Sequence, residues 1–165
     1  MPDWITHILI GLIIAEIFNI KRKSLIVIGA ILPDILVKLE LLSVFFPVDK
    51  YAITWLFNPL HTPLGMALFS LLLVPLFNFD KYKTYFLLFI GWCSHLLSDL
   101  LNKHILLGQN LLLFPFSWQN FELGLVWPDQ YYLILVPVAA IYAIILIHKY
   151  YKNSKNTRKG KRLKI

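Results

Sequence analysis

The residues in this chain that are best suited to chemistry are His95 and Asp99, which stand four positions apart within residues 91–101. In a helix this spacing places both side chains on one face, one turn apart. An imidazole and a carboxylate in that arrangement can bind a metal ion or act as an acid/base pair. Because both groups are costly to bury in an apolar membrane helix, their presence there indicates a function.

The composition is that of a membrane protein. Of the 165 residues, 58% are hydrophobic and 15% are charged, whereas a soluble domain has about half and about a quarter respectively. The single cysteine, Cys93, excludes an internal disulfide and a cysteine-based zinc site, and we expect it to be a small packed residue. The N-terminal apolar run has neither a basic region before it nor a cleavage site after it, so we expect it to be retained as a first helix.

Five apolar runs predict an all-α fold with about five transmembrane helices. The runs cover residues 4–20, 24–44, 61–79, 84–101 and 131–147. Pro33 lies within the second run and predicts a kink or break there. Residues 46–60 are expected to form a loop, and residues 102–130 form a mixed aromatic segment interrupted by glycine and proline.

The basic residues predict how these helices are oriented. With the C-terminus in the cytoplasm, the clusters at residues 21–23, at 81 and 83, and in 149–165 all fall inside, and only Lys38, Lys50 and Lys103 fall on or near the other side. We therefore predict a polytopic bundle in the cell (inner) membrane with its N-terminus outside and its C-terminus inside. Residues 1–148 would form the embedded domain, and residues 149–165 a basic, disordered cytoplasmic tail. Such an anchor is favoured over a tail that binds nucleic acid or anionic lipid.

On this topology five polar side chains lie at one depth near the outer face, on four helices. These candidate metal ligands are His7, Asp34, His61, His95 and Asp99. Neutral imidazoles and carboxylates suit divalent metals, and a cation offsets the cost of burying carboxylates. We expect zinc, as one or two ions, with manganese or iron as alternatives.

Three of these residues also have a simpler interpretation. His7 and His61 could be polar residues at a membrane interface, and Asp34 could pair with Lys38 one turn later. Glu16 lies half a helical revolution from His7 and deeper, so we expect it either to support a ligand or to be a packing partner. The remaining polar candidates are Asp3, which shares a face with His7, and two interfacial or solvent-facing residues, His104 and His148.

The aromatic segment after the fourth run allows two interpretations. Residues 112–118, with Phe121 and Trp127, could form an aromatic belt at the level of the lipid head groups. Alternatively they could form a lid or groove over the polar cluster that admits a lipid-like substrate.

Five short motifs carry a resemblance to a known family. They are MPDWITH at residues 1–7, GAILPD at 29–34, HTPLG at 61–65, GWCSHLLSD at 91–99 and LFPFSW at 113–118. In this order they resemble the YdjM-like family of inner-membrane proteins over residues 1–148. The resemblance implies a polytopic membrane protein and a metal-dependent hydrolase.

A more distant similarity is to zinc-dependent phospholipase C. It implies that Asp34, His61, His95 and Asp99 hold one metal, and that His7 joins Asp99 on a second. This chain departs from that pattern, because it has no later His-x-x-x-Glu pair and no processed N-terminal Trp. A third metal is therefore not expected.

These features predict a membrane-embedded metal-dependent hydrolase that acts on a phosphoester near the outer face. A metal-bound hydroxide would attack the substrate, and Asp34 or Asp99 would act as the general base. The expected partners are membrane lipid and a lipid or phosphoester substrate; nucleic acid is not expected, and the sequence sets no oligomeric state. The alternatives are a small metal or proton transporter, for which only Glu16 and Asn19 continue the polar path inwards, and a non-catalytic partner-binding protein whose polar groups join helices.

Overall fold

The structure, a computed structural model, describes residues 4–37, 58–103 and 110–162, and these ranges are helical with irregular connections. The helices are α1 (Trp4–Ile17), α2 (Lys23–Val37), α3 (Pro63–Leu73), α4 (Lys81–Asp99) and α5 (Tyr132–Arg162), with short 3-10 turns at Asn58–His61, Val74–Leu76 and Pro128–Gln130. Within these ranges the β-structure amounts to an isolated bridge between Asn102 and Val126. The all-α prediction is confirmed.

The centre of the fold is a close crossing of α2 and α4. A Cβ added to Gly29 would collide with the carbonyl oxygen of Leu88, and one added to Gly91 would collide with that of Ile26. Small residues at a crossing allow two helix backbones to approach each other closely. The backbone of α2 therefore lies directly against the half of α4 that carries the polar residues.

The other helices pack around this pair. α1 contacts α2 and α4, α3 contacts α4, and α5 lies against α1. A small apolar core of Met66, Trp92 and Leu96 joins α3 to α4, and the rings of Phe69 and Trp92 meet edge to face at 5.8 Å. These contacts set the position of the last turns of α4.

Local signals explain where the helices begin and end. The Asp80 carboxylate accepts a hydrogen bond from the Lys83 backbone N–H at 2.9 Å, so α4 begins at Lys81, three residues before the predicted start. Pro75 converts the end of the third run into the 3-10 turn Val74–Leu76. α2 continues through Pro33 to Val37, so this proline does not break the helix. The rest of the second run and the predicted loop up to residue 57 lie outside the described residues.

The end of α1 is held by a charged cluster at the basic end of the bundle. Asn19 adopts a positive φ of 51°, a conformation that asparagine tolerates at helix ends. The buried Glu16 carboxylate forms ion pairs with Lys23 and Lys149, and Lys149 also donates to the Asn19 side chain at 3.0 Å. Glu16 is thus a packing partner, one of its two predicted roles, and Lys149 attaches α5 to α1.

α5 continues through the predicted domain boundary after residue 148 as far as Arg162. The contact between Lys149 and Glu16 gives the first residue of the predicted tail a fixed place in the fold. The division into an embedded domain and a tail stays a prediction.

One stretch of the described chain, Pro128–Lys155, is a helix long and apolar enough to cross a membrane, and Trp4–Ile17 and Pro63–Leu76 are apolar but shorter. The 14 residues of α1 span about 21 Å, less than a bilayer core of about 30 Å. The predicted five-span bundle is therefore not confirmed by helix length. Two of its predicted helices end early, at Asn19 and at Pro75.

Candidate metal centre

The five candidate ligands come from four segments and meet in one buried cluster. His7 lies in the first turn of α1, Asp34 in the last turn of α2, and His61 at the end of the 3-10 turn before α3, while His95 and Asp99 lie at the end of α4. Each has at most 8% of its surface exposed. The structure thus brings together all five residues that the sequence proposed.

The distances between ligand atoms suit a shared cation. The Nε2 atom of His7 lies 3.6 Å from Asp99 Oδ1 and 3.8 Å from Asp34 Oδ2. The Nε2 atom of His95 lies 3.1 Å from Asp99 Oδ2 and 4.0 Å from Asp34 Oδ1. Two atoms that each bind one ion at about 2.1 Å are separated by at most about 4.2 Å. All four separations fall within that limit.

The three imidazole rings are adjacent. The rings of His7 and His95 stack with their centroids 4.0 Å apart, and the His61 ring is tilted against His95 at 5.4 Å. Two sets of three residues have ligand atoms that all lie within 4.8 Å of one another: His7 with His95 and Asp99, and Asp34 with His61 and His95. His95 belongs to both sets, so one ion or two neighbouring ions could be held.

A backbone hydrogen bond fixes the tautomer of His95. Its Nδ1 lies 2.8 Å from the carbonyl oxygen of Ala30, and because a carbonyl can only accept, Nδ1 carries the proton. The lone pair of the neutral ring is then on Nε2, which faces the two carboxylates. Metal-binding histidines are commonly oriented by such a bond from the other ring nitrogen.

Ser98 fixes His7 in the same way. The single hydroxyl hydrogen of Ser98 is donated to the His95 carbonyl at 2.8 Å. The contact of 3.0 Å between Ser98 Oγ and His7 Nδ1 is therefore a hydrogen bond that the ring donates. His7 also turns an unprotonated Nε2 towards the carboxylates.

The electrostatics of this arrangement call for a cation. Within the described part of the chain, the Nε2 atoms of His7 and His95 and the Oδ1 atom of Asp99 are buried without a hydrogen bond of acceptable geometry. Nitrogen lone pairs and carboxylate oxygens placed together in an apolar surrounding repel one another and lack solvation. A divalent metal would relieve both costs, so the donor set fits one.

The position of His61 is set by its neighbours in the chain. The Thr62 hydroxyl accepts a hydrogen bond from the Gly65 backbone N–H at 3.0 Å and donates one to the Pro59 carbonyl at 2.6 Å. Thr62 thereby caps α3 and closes the turn that contains His61. A Cβ on Gly65 would collide with the Pro59 carbonyl, so this tight corner requires glycine.

Sequence reasoning missed the residues that orient the ligands. The sequence predicted no role for Ser98 or Thr62, and no local pattern identified the carbonyl of Ala30 as a hydrogen-bond partner of His95. A signal for Ser98 was present, since it lies three residues after His95 and shares its face. Of the other polar candidates, His148 is exposed, as predicted, whereas Asp3 and His104 lie outside the described residues.

The aromatic segment returns to the end of α4 next to the cluster. The backbone N–H groups of Leu123 and Leu125 donate to the carbonyls of Leu100 and Leu101 at 2.8 and 2.9 Å. Its large side chains remain exposed, with Phe116 at 95% and Trp118 at 61%. This exposure favours an aromatic belt over a closed lid.

The fold and the cluster together define an all-helical protein with a buried group of three histidines and two aspartates. The chain belongs to the YdjM inner membrane protein family, whose sequence profile matches residues 1–160. This confirms the resemblance, extends it beyond residue 148 and indicates an inner-membrane location. Comparison with curated proteins and with solved structures finds no match. The more distant similarity to phospholipase C stays a prediction.

Proposed function

We propose that this protein is a multi-pass membrane hydrolase that uses one or two divalent metals, with zinc expected, to cleave a phosphoester. The observation that carries the proposal is the pair of Nε2 atoms, on His7 and His95, that face two buried carboxylates while the Nδ1 atom of each ring is hydrogen-bonded to the protein. His61 completes a donor set of the kind that holds zinc in hydrolases. A metal held there would lower the pKa of a coordinated water and polarise a phosphoryl oxygen.

The side chains of the cluster have separate tasks in this proposal. The three imidazoles, held as neutral ligands, leave the negative charge of the site on Asp34 and Asp99. A carboxylate oxygen that is not used as a ligand accepts a proton from the attacking water, as a general base. Ser98 and the Ala30 carbonyl keep His7 and His95 in the orientation that ligation requires.

The proposed topology keeps five spans with the N-terminus outside and the C-terminus inside. Support comes from the separation of charge along α4, whose basic start and ligand-bearing end are far apart. Lys83 and His95 are twelve residues apart, about 18 Å of helix. Helices shorter than the bilayer core can be accommodated by local thinning of the membrane. The site would then lie near the outer leaflet, beside an aromatic belt at the level of the lipid head groups, so the phosphoester within reach would be that of a lipid.

The transporter alternative receives less support. It needs polar groups that continue from the cluster towards the other end of the bundle, and Glu16 and Asn19 were its candidates. Both are bound by Lys149 at the basic end, and they serve there to join α5 to α1. Metal flux into proteoliposomes that depends on His95 would favour the transporter instead.

Metal analysis of the purified protein tests the proposal. We expect one or two zinc ions per chain in the wild type and a loss of at least half of this metal in His95→Ala, because His95 belongs to both ligand sets. Hydrolysis of a panel of phosphodiesters and phosphomonoesters in detergent should fall by at least about a hundredfold in the same variant. His148→Ala, which removes an exposed histidine outside the cluster, is the matched control and should change neither quantity.

A wild type without stoichiometric transition metal, indistinguishable from His95→Ala, would contradict the metal site. A protein that holds its metal but hydrolyses no phosphoester would keep the site and contradict the proposed reaction.

A further inference from the structure

We propose that the basic end of the bundle contains a second binding site, for the phosphate head group of an anionic phospholipid. A pocket of about 490 Å³ lies there between the connection from α1 to α2 and the start of α4. It is lined in part by Lys21, Arg22, Asp80, Lys83, Phe86 and Leu87. It lies at the opposite end of α4 from the metal centre and has no function in the proposed hydrolysis, so the two proposals are independent.

The net positive charge of the pocket favours binding of an anion. Among the residues that the structure describes, three cationic side chains line it, those of Lys21, Arg22 and Lys83, against one carboxylate, that of Asp80. That carboxylate accepts the hydrogen bond from the Lys83 backbone N–H and so acts as the cap of α4. The excess of positive charge attracts a phosphate, and basic pockets on the cytoplasmic side of membrane helices commonly bind lipid phosphates.

The guanidinium group of Arg22 is held beside the pocket by an aromatic ring. Its central carbon lies 3.9 Å from the centroid of the Phe79 ring, which is a cation–π contact. The N–H groups of a guanidinium suit two oxygens of one phosphate. Lys81, in contrast, donates to the Phe77 carbonyl at 2.9 Å and does not line the pocket.

The apolar side of the pocket indicates a lipid and not a free phosphate. Phe86 lines the pocket and is 57% exposed, and Tyr82 and Ile90, one turn before and after it, are 81% and 38% exposed. These three residues form an exposed stripe on α4 that runs from the basic rim towards the middle of the helix. In an inner-membrane protein this stripe contacts acyl chains, so the head group and the chain of one lipid would have adjoining surfaces.

Binding of a fluorescent phosphatidylglycerol to the full-length protein in neutral detergent tests this site, with phosphatidylcholine of the same chain length as the neutral comparison. We expect phosphatidylglycerol to bind more tightly to the wild type, and the double variant Arg22→Gln/Lys83→Gln to lose about tenfold in affinity for it. The matched control is Lys152→Gln/Lys155→Gln, which removes the same charge from exposed positions on α5 and should lose less than twofold.

Arg22 contacts Phe79, and loss of this contact would lower stability. If the melting temperature of the first double variant falls, Lys21→Gln/Lys83→Gln, which leaves the contact between Arg22 and Phe79 intact, is expected to show the same loss of affinity. Equal losses in the pocket and control variants, or equal binding of the two lipids, would overturn the proposal. Full displacement of the lipid by inorganic phosphate at the same concentration would also overturn it, in favour of a site for free phosphate.

Discussion

At the scale of single residues, the proposed metal centre depends on two hydrogen bonds to groups outside the ligand set. The Ala30 carbonyl and the Ser98 hydroxyl each bind an Nδ1 atom, and together they turn both Nε2 atoms towards Asp34 and Asp99. The orientation of the two rings is therefore set by the protein around them. Without these bonds each ring could take the other tautomer or rotate out of the cluster.

Ser98→Ala should weaken metal binding while leaving all five ligands in place. Loss of a partner that orients a metal-binding histidine commonly lowers affinity by about 10- to 100-fold, and we expect a change in that range from competition with a chelator. Ser94→Ala is the matched control, because Ser94 is also buried on α4 and donates to the carbonyl three residues before it, that of Gly91, without a contact to His7 in the described structure. Equal losses in the two variants would assign the effect to helix packing and contradict a role for Ser98 in orienting His7.

At the scale of helices, the crossing of α2 and α4 determines whether the cluster can form. His95 reaches the Ala30 carbonyl only because Gly29 and Gly91 allow the two backbones to approach so closely. The ligands on α4 are therefore positioned by two residues that have no side chain. Bulk at this crossing would separate Asp34 from the pair on α4.

Gly91→Ala should destabilise the protein and lower its metal content together. Alanine favours a helix over glycine by about 1 kcal/mol, but here the added Cβ collides with the Ile26 carbonyl, and overpacking of this kind costs about 1–3 kcal/mol or more. Thermal unfolding in detergent measures the effect. Gly11→Ala is the control, because its Cβ would lie 3.5 Å from that of Ala30, which is ordinary contact, and its melting temperature should be unchanged or higher. A Gly91→Ala variant as stable and as metal-rich as the wild type would show that the crossing is not needed.

At the scale of the whole molecule, the buried and charged polar side chains gather at two opposite ends of the helix bundle. The cluster of three histidines and two aspartates lies at one end of the bundle, whereas Lys23, Lys149 and the proposed lipid pocket lie at the other. Glu16 joins three helices at the basic end through its two lysine partners. The proposed hydrolysis and the proposed lipid binding would therefore take place at opposite ends of the bundle.

Reporter fusions should locate these two ends relative to the membrane. We expect a fusion after Ile165 to be cytoplasmic and an insertion within residues 46–60 to be on the outer side, because basic residues accumulate in cytoplasmic loops. Substituting glutamine for the cluster at residues 21–23 should weaken this preference, whereas glutamine at Lys103 should not. An external C-terminus would reverse the orientation and place the metal centre near the cytoplasm.

The sequence alone predicts the helical class and singles out five polar side chains that the structure then brings together in one buried cluster. Each of these follows from local information: the length of apolar runs, the spacing of four between His95 and Asp99, and the positions of polar residues along each run. The ends of the helices were predicted only approximately. The cap at Asp80 and the turn at Pro75 place two of these ends at other residues than the apolar runs predict.

The packing of the helices against one another cannot be derived from local spacing, and only the tertiary structure shows it. The lateral convergence of the ligands depends on the closeness of Gly29 and Gly91 across two helices. The tautomers depend on contacts between residues far apart in the chain, such as Ser98 with His7. The association of α5 with α1 depends on Lys149 meeting Glu16. These are properties of packing between segments, where steric fit and the pairing of buried polar atoms choose one arrangement among many that the same helices would allow.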